Sequence, residues 1–170
     1  TAPKLSANTA PRLAELLSAY PGSRHGNSET RGLDSPFATT TYVETRLDDV
    51  LRREIEEDQV KLAILFGNAG DGKTAFLQHL LAALGVPDVH SSKRVQERRL
   101  ADGRRLKVNL DGSAAWQGRS ANALLDEFFK PCHDLGFDAA ARHPRILAIN
   151  SGKLLEWLDT QADSPLSEQL

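Results

Sequence analysis

The sequence predicts an α/β fold, a mainly parallel sheet with flanking helices, and three observations predict it. From Val60 onward, short apolar runs of strand length alternate with amphipathic runs of helix length, the order that places helices over parallel strands. A glycine-rich stretch, Gly67–Thr74, joins the first apolar run directly to the helix that follows. The runs Val60–Phe66 and Arg145–Ile149 are strand-sized and nearly uncharged, as buried strands are.

The elements follow in order. Thr9–Tyr20 reads as a short amphipathic helix, with Thr9 as cap, Pro11 in the first turn, and Leu13, Leu16, Leu17 and Tyr20 on one face. Pro21–Pro36, rich in Gly, Ser, Arg and Asn, reads as a surface loop. Thr45–Asp58 is a stronger helix with Leu47, Val50, Leu51 and Ile55 on one face. Val60–Phe66 reads as a buried strand. Thr74–Leu84 is a helix with Leu77, Leu80, Leu81 and Leu84 along it, Gly85 at its end and Pro87 blocking continuation.

Between Ser91 and Leu110 two readings stand. Asp102-Gly103 is a two-residue hairpin turn between strands 94–101 and 104–110, or Ser91 opens a helix and only 105–110 is a strand. In both, Leu106, Val108 and Leu110 belong to a strand ending at Asp111. Ser120–Lys130 is a helix capped by Ser120, striped by Leu124, Leu125, Phe128 and Phe129, and ended by Pro131. Arg145–Ile149 is the next strand. Gly152–Thr160 is a helix carrying Leu154, Leu155, Trp157 and Leu158.

Bulk properties bound the function. The chain has 170 residues, 40% apolar and 26% charged, with a formal net charge of −2. Such a balance gives no global attraction to nucleic acid or a membrane. One cysteine, Cys132, precludes an internal disulfide and fits a reducing compartment, so a cytoplasmic location is expected. No apolar run approaches the ~20 residues of a membrane span, and no signal-peptide pattern opens the chain. Methionine is absent, and the last strand–helix pair leaves little room for further strands. The expectation is an incomplete, N-terminal portion of a larger protein.

The chemistry concentrates in Gly67-Asn68-Ala69-Gly70-Asp71-Gly72-Lys73-Thr74, with Ala75 next to it. Glycines let backbone approach phosphate oxygens closely. Successive N–H groups of such a loop form a concavity that prefers anions, and the helix after it adds its positive end. Lys73 supplies a mobile cation expected to touch phosphate alone. Thr74 supplies a hydroxyl for Mg²⁺, which takes oxygen ligands.

This stretch matches G-x-x-x-x-G-K-[ST] and is similar to the Walker A motif of P-loop NTPases. The likeness covers about half the chain, Val60 to about Thr160. It implies a P-loop NTPase core over residues 45–170, with 1–44 an N-terminal helix and surface loop. It implies ATP and Mg²⁺ as cofactors and ATPase activity in the complete protein. It further implies an acidic residue at the end of a second strand to hold magnesium. Asp111 is preferred, on a strand next to Val60–Phe66. Asp126-Glu127 is the competitor, since Ala123-Leu124-Leu125-Asp126-Glu127 is an apolar run ending in acids, but its periodicity is helical. Gly112, not glutamate, follows Asp111.

Ile146-Leu147-Ala148-Ile149-Asn150 resembles the sensor strand of AAA+ and STAND-type ATPases, which implies that Asn150 reads the γ-phosphate. The other reading of Asn150 is a helix cap. The loop's wording also resembles large ATPases of bacterial defence and DNA-restriction systems. The GTPase motifs Asn-Lys-x-Asp and D-x-x-G do not occur in the sequence, so ATP is favoured over GTP. Three functions remain: an ATP-driven switch or motor acting on a macromolecule, with assembly of several copies compatible; a small-molecule kinase; and a regulatory module that binds nucleotide without turnover. The basic cluster Lys93, Arg94, Arg98, Arg99, Arg104, Arg105 and Lys107 reads as a solvated face sooner than a nucleic-acid contact. The histidines show no metal spacing.

Overall fold

Alternate residues of one apolar strand enter two different cores, and this fixes the architecture. The computed structural model describes residues 32–34, 36–86, 89–90, 93–140 and 143–161. Helices α1 (Pro36–Thr41) and α2 (Arg46–Glu56) precede strand β1 (Leu62–Gly67) and helix α3 (Lys73–Ala83). Strands β2 (Val95–Arg99) and β3 (Arg105–Asn109) come next, then helix α4 (Ala121–Ala140), strand β4 (Arg145–Asn150) and helix α5 (Ser151–Thr160). The expected helix Thr9–Tyr20 lies outside the described residues.

The four strands form one mixed, mostly parallel sheet in the order β1-β4-β3-β2. β4 runs parallel to β1, with Leu62 opposite Arg145 and Gly67 opposite Asn150, and parallel to β3 on its other side. β2 and β3 pair antiparallel. Ile146 and Ala148 of β4 pack with Leu51 and Ile55 of α2 and with Leu77, Leu80 and Leu81 of α3. Leu147 and Ile149 enter the other core with Phe128 and Phe129 of α4 and Trp157 of α5. The period of two in a strand therefore builds a helix layer on each side.

Local signals account for most element ends. Asp48 accepts hydrogen bonds from the Thr45 N–H (2.7 Å) and hydroxyl (2.8 Å), closing the start of α2. After α3, Gly85 at φ +75° lets Val86 N–H reach Leu81 O (2.9 Å) and Gly85 N–H reach Ala82 O (3.0 Å), the paired bonds of a glycine-terminated helix. Ser120 Oγ accepts from the Ala123 N–H at 3.2 Å. The hairpin reading of 94–110 holds, but its turn spans Ala101–Gly103. Leu100 N–H bonds Arg104 O at 2.8 Å, and Gly103 takes φ +89°, as three-residue hairpin loops do.

Several expectations are corrected. Pro131 does not end α4, which runs on to Ala140. An interior proline forfeits a backbone bond and strains the turn before it. The apolar stripe outlasts it here, since Leu125, Phe128, Phe129 and Cys132 are all buried in one core. β1 is not a fully buried strand; among the described residues it lies at the edge of the sheet, with Phe66 67% exposed. Leu47 and Leu155, assigned to apolar faces, are 48% and 63% exposed. Helix α1 carried no periodic signal in its six residues, Pro36 to Thr41.

Candidate functional site

The loop between β1 and α3 takes its shape from two glycines. Gly70 and Gly72 have φ +94° and +80°, a region that disfavours any residue with a Cβ. A Cβ built on either would meet nothing within 4 Å, so both face open space. Gly72 stands at the N-cap of α3. Lys73, Thr74 and Ala75 therefore fill the first helical turn, whose N–H groups lack intrahelical partners.

A cavity of about 500 Å³ opens here, walled by Ala69–Ala75, by Leu110 and Asp111 after β3, by Ala148–Asn150 at the end of β4, and by Gly32. Asp111 and Asn150 thus meet the loop where the carboxyl ends of parallel strands gather, the usual place for a ligand in an open α/β sheet. Asp111 does not follow a strand adjacent to β1, because β4 lies between β1 and β3. Gly67 and Asn68 stand outside the cavity lining.

Several polar groups around the cavity have defined partners. Asp71 Oδ2 accepts from the Asn68 N–H at 2.6 Å. It can do so because Gly67 has no side chain; a Cβ there would sit 2.5 Å from that same oxygen. Lys73 Nζ donates to the Asn68 carbonyl at 2.5 Å, so its contacts are not confined to a ligand. Thr74 Oγ1 donates to Leu110 O at 3.3 Å, turning the hydroxyl toward the segment that carries Asp111. The Asp111 N–H donates to Asn109 Oδ1 (3.1 Å), and Asp111 Oδ1 accepts from the Ser113 N–H (3.0 Å). Asn150 occupies the N-cap position of α5 without a side-chain capping bond. Its N–H donates to Ser113 Oγ at 2.7 Å.

The competing acids stand elsewhere. Asp126 Oδ1 accepts from Trp157 Nε1 at 2.9 Å, and Glu127 pairs with Arg119 and with Lys107. The Arg119 hydrogen bond holds the Glu127 carboxyl below the usual range. Both residues are helical and border a different surface hollow. Members of the basic cluster are tied to protein groups, although Arg98, Arg99 and Arg105 border one surface hollow. Arg94 donates to Ala115 O (2.7 Å), Arg104 ties Asp58 (2.5 Å) and the Ile55 carbonyl (2.6 Å), and Arg105 pairs with Glu97 (3.1 Å). Cys132 is buried, and burial pushes its thiol pKa up.

Three contributors escaped sequence reasoning. Gly32 walls the cavity at φ +67°, where a Cβ would lie 1.9 Å from Gln78 Oε1. Gln78, buried in α3, accepts from the Leu33 N–H (2.6 Å) and donates to Asp34 Oδ1 (2.6 Å) and Val89 O (2.8 Å). Residues 32–34, read as surface loop, are held against α3. A polar residue inside the apolar face of a helix was the only signal. Ser113 carried none.

The residues present fit a phosphate-bearing ligand: an open glycine loop, a helix start and a cation on a flexible stem. Among the described residues no group of three or more His, Cys, Asp or Glu side chains converges. A Mg²⁺ at Thr74 and Asp111 would draw its remaining oxygens from the ligand and water. No helix among the described residues is long and apolar enough to cross a membrane. Neither the family models, the curated proteins nor the solved structures compared with this chain yielded a match.

Proposed function

We propose that this chain binds ATP with Mg²⁺ in the cavity at the end of β1, as the P-loop nucleotide-binding module of an ATP-driven switch or motor that acts on a macromolecule. One observation carries the reading. The glycine loop with the start of α3, Asp111 and Asn150 come from three separate parts of the chain and wall a single cavity. Backbone N–H groups of the loop and helix start hold the phosphates. Lys73 leaves the Asn68 carbonyl for the β- and γ-phosphate oxygens. Thr74 and Asp111 hold magnesium, and Asn150 presents its amide to the terminal phosphate. ATP brings the phosphoanhydride; the chain's residues orient it and balance its charge.

One observation favours a second reading, a regulatory module without turnover. Gly112 follows Asp111, so no adjacent carboxylate orients water. Calorimetric titration with ATP plus magnesium, ATP plus EDTA, and GTP tests the proposal. The expected result is binding that weakens without magnesium and with GTP. Absence of binding to all three overturns it. Phosphate release under single-turnover conditions separates the two readings.

A further inference from the structure

We propose that Ser113 is a positioning residue that couples Asp111 to Asn150, so that the groups at the ends of β3 and β4 respond to a bound nucleotide as one unit. The inference rests on the nucleotide reading of the cavity. Asp111 and Asn150 belong to different strands, and Ser113 bonds to both. Its N–H donates to Asp111 Oδ1 at 3.0 Å, and its Oγ accepts from the Asn150 N–H at 2.7 Å. A cation drawing on the Asp111 carboxylate would therefore pull on the serine that anchors Asn150.

Gly112 makes this link stiff. It is buried, and its N–H donates to Ala148 O at 2.7 Å. A Cβ at this position would lie 2.7 Å from Leu147 Cδ1 and 3.2 Å from Leu125 Cδ2. The chain from Asp111 to Ser113 thus lies directly on β4, and close packing transmits a shift that a loose loop would absorb. Asn109 holds the other side through its bond to the Asp111 N–H (3.1 Å). The plainer role for Ser113 is to satisfy one backbone N–H at the start of α5, which would affect stability alone.

The test has two arms. In nucleotide-free protein, NMR measures hydrogen exchange at the Asn150 amide. Ser113→Ala accelerates it, and Ser113→Thr, which keeps the hydroxyl, restores it. Calorimetry then measures affinity for ATP with magnesium and for ADP without it. Ser113→Ala weakens the first by roughly five- to tenfold, the size of one lost hydrogen bond, and leaves the second unchanged. Ser113→Cys, with a weak acceptor in the same space, carries the same expectation if the alanine variant does not fold. Equal weakening toward both nucleotides, or no weakening, overturns the coupling while the nucleotide reading stands. Absence of nucleotide binding by the wild-type chain overturns both.

Discussion

Lys73 Nζ, at the start of α3, donates to the carbonyl oxygen of Asn68, five residues back in the loop before it, at 2.5 Å. The bond is exposed, so it adds little to the fold, and it stores the cation beside the cavity rather than in the core. Lys73→Ala is expected to leave the melting temperature within a degree or two, as exposed substitutions do, and to abolish ATP binding. Calorimetry and thermal unfolding on the same sample check this. A wild-type affinity in the variant refutes it.

Asp71 serves the loop with one oxygen and opposes an anion with its charge. Asp71→Asn keeps an acceptor for the Asn68 N–H and removes the charge. ATP should bind the variant more tightly, by roughly 0.5–1 kcal/mol at low salt, and the gain should shrink as ions screen it. Affinities across a salt series decide. Weaker binding at every salt concentration would mean that the ionised carboxylate is needed to shape the loop.

Gln78→Leu removes the bonds that hold Leu33, Asp34 and Val89 against α3. About 1–3 kcal/mol should be lost for the buried groups left without this partner, measured by urea unfolding. ATP affinity should also fall, since Gly32 is a wall of the cavity. Lost stability with unchanged affinity would make this segment a brace only.

Asp48 predicts an acid limb. Burial raises its carboxyl pKa, but hydrogen bonds from Tyr42 and from the Thr45 N–H and hydroxyl, with His79 nearby, outweigh burial and hold it below the usual range. A carboxyl depressed in the folded state stabilises above its unfolded pKa and loses that contribution as pH falls through the folded value. Stability should therefore decline below pH about 4, the unfolded carboxylate value. Asp48→Asn should be less stable near neutrality and show a flatter decline. Urea unfolding across pH measures both.

The sequence disclosed what local physics decides. Gly85 announced the end of α3, Ser120 the start of α4, and Leu106, Val108 and Leu110 the strand leading to Asp111. Apolar periodicity also placed Asp126 and Glu127 on a helix, which kept them from the loop. Where tertiary packing decides, local signals failed. Pro131 lies inside a helix because Phe128 and Phe129 before it and Cys132 after it are buried in one core. Leu155 and Phe66 are exposed because no described element covers them. Ser113 was silent, since the value of a hydroxyl depends on which amide the sheet brings to it.

β4 lies between β1 and β3, and those two strands share no pairing of their own. The order of assembly follows. The β2–β3 hairpin joins neighbours in the chain and can close in about 1–10 μs. Seating β4 joins Leu62 to Arg145 across most of the described chain, and such distant closures are slow. A chain caught before that step can hold its hairpin and its helices, yet its glycine loop and Asp111 follow strands that no backbone ladder joins. Nucleotide affinity would then emerge abruptly, with the final strand, and would report completed folding better than helix content does.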